Sequence, residues 1–372
     1  MNSVPVPLPA NRRDTRRRFE QWVKHPGCGA NLVSAVHNVK MGAVARRENP
    51  AAPKEGQSVF ALARGRRFEA GLVANGGEKL LRAMAVRQMF AGPDPRFLDF
   101  RISINGGPLV DIDDAIDHTE DFLRTLAAEG SFAKGSFAKG SFEGVVSSAT
   151  LRIPKGVMLP EATLIIDALS VRLDGGRPVV SVGEIKTYAD RGGHTSKSDL
   201  AHARAQMGLY VHALAMVLEQ LGLADLVELS LEGFLVLTNP GSNNPTVRVG
   251  EDLRYQAERA RKGFELMEAA ARDMSDMVGD DEGEGPKSLF DMVLAAPTSF
   301  ADACLSFCER APSCYAKAIA DGDGAALGDD IDRFLNGLSL HRADELMGGA
   351  RPRNDIERDF LRRMRHPLDG AS

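Results

Sequence analysis

Two runs of the chain, "ATLIIDALSVRLD" (162–174) and "RPVVSVGEIKTY" (177–188), constrain its fold most. Both alternate, both are rich in β-branched residues, and the turn Gly175-Gly176 joins them, so they predict a hairpin. Asp167 interrupts the apolar stretch "LIIDALSV", where a carboxylate is expensive to bury without a compensating cation. Glu184 and Lys186 are two apart on the second strand and project from one face. The hairpin brings Asp167 close to Glu184 across neighbouring strands. Two converging carboxylates with an ammonium alongside suit Mg2+ or Mn2+, which prefer oxygen ligands and keep waters for chemistry. The plain alternative is a surface Glu–Lys ion pair and an aspartate that hydrogen-bonds a turn.

Around this hairpin the pattern alternates between strand and helix. Residues 58–90 read as a helix interrupted near Asn75-Gly76-Gly77, 96–107 as a strand entering a turn, and 113–129 as a second helix. "GSFAKGSFAKGSFEG" (130–144) repeats every five residues, a period that fits neither helix nor strand, and reads as a loop without catalytic role. A long helix is expected from about Asp199 to Gly222, strands over 226–239 and 245–250, and a helix running from Glu251 into the acidic stretch 279–286. Mixed strands flanked by helices make an α/β protein. Four segments follow: 1–57 with a basic run and the first cysteine, a core over 58–278, an acidic linker and cysteine segment over 279–320, and a charged helical tail over 321–372.

The chain has 372 residues, ample to bury a core, and a formal net charge of −5, so it is no generic polyanion binder. Arg12, Arg13, Arg16, Arg17 and Arg18, and later Arg64, Arg66 and Arg67, form local basic strips that could track a phosphate backbone or simply stay solvated. No apolar run approaches the roughly 18 residues of a membrane span, and the N-terminus lacks the apolar core of a secretion signal, so a cytoplasmic protein without membrane contact is expected. In that reducing compartment the four cysteines point to metal or redox chemistry rather than disulfides. They stand as Cys28, then Cys304-x3-Cys308-x5-Cys314. Four soft thiolates suit iron–sulfur or zinc; paired C-x2-C knuckles are absent, and His25 offers a different ligand set. "GEGPKS" (283–288) lacks the spacing of a phosphate loop, and "GDGAALG" (322–328) is not a dinucleotide fingerprint. No ATPase motor is suggested.

Gln206 and Tyr210 sit at i and i+4 of the helix after the hairpin, on one face. The ordered set Asp167, Glu184-Ile185-Lys186, Gln206 and Tyr210 resembles the RecB-type branch of the PD-(D/E)XK nucleases. "RGRRFEAGL" (64–72) is similar to that family's first motif helix, with Glu69 where many relatives carry a metal-binding histidine and Glu78 as the fallback. One early and three late cysteines resemble the 4Fe–4S set of AddB-type repair nucleases and CRISPR-associated Cas-four-type exonucleases, although the first late gap is one residue longer than C-x2-C-x5-C. The resemblance spans about residues 28–314. It implies a restriction-endonuclease-like mixed β-sheet core flanked by helices, with Cys28, Cys304, Cys308 and Cys314 as an iron–sulfur clasp joining the N- and C-terminal segments. It further implies one or two divalent ions held by Glu69, Asp167 and Glu184, with the Ile185 carbonyl as an extra ligand. Lys186 would position water or stabilise charge, and Gln206 and Tyr210 would orient the metal site or the strand. The expected activity is exonucleolytic hydrolysis of single-stranded DNA ends in repair, CRISPR adaptation or antiphage defence, with a helicase or defence complex supplying unwound strands. Polarity of digestion and oligomeric state are left open by the sequence. The alternatives are a nuclease-like DNA-binding subunit, or a zinc or iron–sulfur protein unrelated to DNA.

Overall fold

The structure, a computed structural model, describes residues 15–49, 59–100, 111–132, 142–153, 162–240, 242, 244–277, 289–300, 304 and 308–369. In chain order the helices are α1 (Thr15–Lys24), α2 (Gly29–His37), α3 (Met41–Glu48), α4 (Val59–Ala85), α5 (Ile112–Phe132), α6 (Lys197–Gln220), α7 (Arg254–Met277), α8 (Leu289–Ala295), α9 (Ala311–Asp321), α10 (Asp329–Leu335), α11 (Leu340–Met347) and α12 (Asp355–Asp369). The strands are β1 (Arg96–Asp99), β2 (Gly144–Ile153), β3 (Ala162–Asp174), β4 (Arg177–Ala189), β5 (Glu228–Leu229), β6 (Glu232–Thr238) and β7 (Pro245–Asp252). No helix among the described residues is long and apolar enough to cross a membrane. The chain divides into two compact units, one of Met1–Arg16 with Gln57–Arg272, the other of Arg17–Gly56 with Asp273–Ser372.

The first unit is α/β, a mixed sheet flanked by helices. The strand order is β1-β2-β3-β4-β6-β7, with β5 pairing β4. β2 and β3 run antiparallel, as do β3 and β4, whereas β4 and β6 run parallel. The expected hairpin is present, with Asp174 opposite Arg177 and Gly175 and Gly176 both at positive φ in the turn. The strand expected over 226–239 is two pieces, β5 and β6; between them Ser230 still donates its N–H to the Val180 carbonyl at 2.8 Å, while its hydroxyl bonds the Glu232 backbone. β2 has no counterpart in the sequence reading. Flanked by β1 and β3 and buried along most of its length, it carries no alternation. Most of the five-residue repeat, the acidic stretch 279–285, and Arg12 and Arg13 lie outside the described residues.

Helix α4 breaks where Asn75-Gly76-Gly77 predicts it, with φ of 52°, 65° and 72°. At Gly77 the Phe97 ring occupies the space a Cβ would need, so both backbone and packing select glycine there. Phe68 and Leu72 from one half of α4, and Leu80 and Met84 from the other, form a core with Ala168, Ile185, Phe234 and Val236. That core assigns one face of the sheet to α4. A Cβ at Gly233 would meet the Met207 sulfur of α6, and Gly233 alternates with Phe234, so α6 covers the other face.

In the second unit α2 packs on α8 and α3 on α8, so the early and late segments of the chain share one small helical core. The expected basic strip is partly absorbed here. Arg18 is buried, donating to the Ala35 and Val36 carbonyls at 2.7 and 3.0 Å near the end of α2, where orphan carbonyls need donors. Phe360 of α12 packs with Leu335, Ala343 and Leu346 in a core of its own.

Candidate functional site

In the first unit the β3–β4 ladder pairs Asp174 with Arg177 through Ala168 with Gly183 and stops there. The next opposed residues are Asp167 and Glu184. Beyond this point β4 continues its pairing with β6 through Glu184 and Ile185. The Asp167 carboxylate bridges the opening, its Oδ2 accepting from the Ile185 N–H at 3.1 Å. Aspartate at this position therefore has a structural cause: it satisfies a backbone donor that the diverging strand no longer serves. Ala168 and Ile185 belong to the α4 side, so Asp167, Glu184 and Lys186, which alternate with them, face α6.

Glu184 is fully buried, and the Lys186 ammonium lies against its Oε1. The Lys186 side chain keeps 20% exposure, so the pair joins a dry carboxylate to a solvent-accessible cation. The surface-pair alternative drawn for E-x-K does not describe a glutamate with 0% exposure. Gln206 and Tyr210 are both buried on α6, the Gln206 Nε2 donating to the Tyr210 hydroxyl at 2.5 Å. Their helix is fixed from behind: buried Glu251 of β7 accepts from Arg204 Nε at 2.6 Å and Arg248 Nε at 3.2 Å, and Arg248 also donates to the Gly193 carbonyl at 2.7 Å.

Glu69 is not brought to this face. It is exposed on α4, next to Phe68, which packs against the Ala168 and Ile185 side of the sheet. Glu78 pairs with Arg82 on the same helix, past the break. Arg64 and Arg67 are exposed, and Arg64 reaches the Thr187 hydroxyl at 3.4 Å. A residue the motifs did not flag is Ser148, at φ 62° in mid-strand and opposite Asp167 in the β2–β3 register. Backbone held in this region costs about 1–3 kcal/mol and clusters at functional sites. Nothing in "VVSSAT" announces it.

The second unit holds all four cysteines as free thiols. Cys28 precedes α2, its carbonyl accepting from the Leu32 N–H at 3.0 Å; the Cys308 N–H donates to the Cys304 carbonyl at 2.8 Å; and Cys314 lies in the first turn of α9. They line one pocket, open to solvent, together with His25, Met41, Phe300 and Arg310. Two contacts close it from the N-terminal side. The Ala30 N–H donates to the Pro297 carbonyl at 3.1 Å, and His25 Nε2 meets the Ser299 hydroxyl at 2.6 Å. Burial pushes the Cys308 thiol up to about 12, and the neighbouring cysteines push the same way. Among the described residues no three His, Cys, Asp or Glu side chains converge closely enough to share a single ion. Arg310 and Glu48, which the motifs also passed over, are joined at the pocket edge; the signal was Arg310 two residues past Cys308.

No protein-family model matches the chain, and no curated protein matches it significantly.

Proposed function

We propose that the chain is a divalent-metal-dependent deoxyribonuclease of the RecB-like PD-(D/E)XK type, acting on single-stranded DNA ends, with a 4Fe–4S cluster in its second unit. The observation that carries this reading is the opening of the β3–β4 ladder at Asp167 and Glu184, with Lys186 on the same face. Mg2+ is typically bound by one or two carboxylates plus substrate phosphates, so two carboxylates fit it in number and kind. A bound Mg2+ or Mn2+ would supply an activated water and offset charge on the scissile phosphate. Asp167, anchored through one oxygen, would offer the other to a cation. Glu184 provides the second carboxylate. Lys186 holds Glu184 in its dry setting and reaches solvent, where its ammonium meets a phosphate oxygen. The Gln206–Tyr210 pair stiffens the helix over that face.

For the second unit the donor set is the argument. Four thiols lining one pocket are the soft donors an iron–sulfur cluster takes, and each would bind its own iron. A helicase or a defence complex would supply the unwound strand.

The test uses anaerobically purified protein, scanned for the visible absorbance of an iron–sulfur cluster and incubated with Mn2+ and end-labelled single strands. Glu184→Ala and Lys186→Ala should each lose activity by about 100-fold or more. Undiminished cutting by Glu184→Ala overturns the nuclease reading. One observation favours a second reading, a nuclease-like subunit that binds DNA without cutting it: Glu69 stays exposed on α4, away from the Asp167–Glu184 face. Wild-type protein that shifts labelled strands in a gel and leaves them intact would decide for it.

A further inference from the structure

Arg310 is buried to 7% exposure and lines the same pocket as the four cysteines. It is the one lysine or arginine among the described pocket residues. Its Nε donates to Glu48 Oε2 at 2.8 Å and its NH2 nitrogen to Oε1 at 2.7 Å, a bidentate pair. A third bond, from NH1 to the Val293 carbonyl at 3.2 Å, fixes the guanidinium plane. Cys308 lies two residues before Arg310 and Cys314 four after it, and all three line the pocket.

The pair ties α3 to the segment that carries Cys308 and Cys314, with its cation on the pocket wall. Four thiolates and their irons concentrate negative charge in a poorly hydrated pocket, where a nearby cation is felt strongly. We propose that Arg310 and Glu48 form a charge-tuning pair for the four-cysteine pocket, Arg310 balancing the thiolates and Glu48 setting how much of that cation they feel. This rests on the iron–sulfur reading above. Arg310 is thus a positioning residue and ligates nothing.

A clamp and a tuning pair predict different signs. Wild-type protein, Arg310→Gln, Arg310→Lys and Glu48→Gln are to be reconstituted anaerobically, and iron and sulfide content, reduction potential and the rate of cluster loss to a chelator measured. Arg310→Gln should shift the potential negative, because added electrons lose a compensating cation, and should lose its cluster about tenfold faster, the low end for an outer-shell partner. Glu48→Gln should shift the potential positive, since it unmasks the cation. Arg310→Lys should hold the potential near wild type. If Arg310→Gln does not fold, Glu48→Gln decides alone: an unmoved or negative shift overturns the proposal. Potentials that move together, or not at all, in cluster-bearing proteins overturn the tuning and leave the cluster standing. Wild-type protein that takes up no iron and sulfide overturns the cluster reading, and this proposal with it.

Discussion

Glu184 shows what a single buried carboxylate demands. It has no exposure, and the ammonium two residues on is against it. Removing one partner of such a pair leaves an uncompensated charge in the interior, which typically costs about 3–5 kcal/mol. Lys186→Met should therefore destabilise the first unit by about that amount, read as a lower urea midpoint in far-UV circular dichroism. Adding Glu184→Gln to that variant should recover more than half of the loss, because the orphaned charge is gone. A Lys186→Met loss below about 1 kcal/mol would mean that the pair behaves as an ordinary surface contact. The experiment needs no metal and no DNA, so it tests the geometry apart from the chemistry proposed for it.

Among the elements, the C-terminal helices α11 and α12 carry an acid response of their own. Glu357 accepts from Arg342 Nε at 2.9 Å, from its NH2 nitrogen at 2.7 Å and from the Arg353 N–H at 2.7 Å. The Arg342 guanidinium first, and the Arg353 N–H second, hold its carboxyl at about 2. A depressed carboxylate stabilises the fold above its unfolded value, about 4.3, and that stability fades as pH falls toward 2. Glu357→Gln should accordingly flatten the fall in thermal midpoint between about pH 5 and pH 2, while lowering the midpoint at pH 7. A variant with an acid limb as steep as wild type would place the acid sensitivity elsewhere. The same scale shows what could be read in advance. The β3–β4 hairpin was legible because its residues alternate and two glycines mark the turn, and Asp167 and Glu184 fell opposite each other as that register requires. The break in α4 was legible for the same reason, since Asn75-Gly76-Gly77 advertise positive φ. β2 was not: burial on both sides erases alternation, and Ser147-Ser148 look like turn residues. Glu69 was placed by analogy of motif, and the packing of Phe68 put it on the α4 side instead. The partnership of Glu48 with Arg310 depends on tertiary closure, which no local pattern encodes.

At the scale of the molecule, two units with separate cores should unfold separately. The chain carries one tryptophan, Trp22, buried in α1 within the second unit. Its fluorescence therefore reports that unit alone. Stripping the proposed cluster with a chelator should lower the fluorescence midpoint by several degrees, while the larger far-UV transition of the sheet unit stays where it was. Coincident movement of both would show that the units unfold as one. The second unit also has an unusual history during synthesis. Glu48 leaves the ribosome 262 residues before Arg310, its partner at the pocket edge. At translation rates of about 5–20 residues per second that interval is roughly 13–50 s. For that time Cys28 and the apolar faces of α2 and α3 have nothing to close against. The nascent chain must carry an open half-pocket past the folding of the entire sheet.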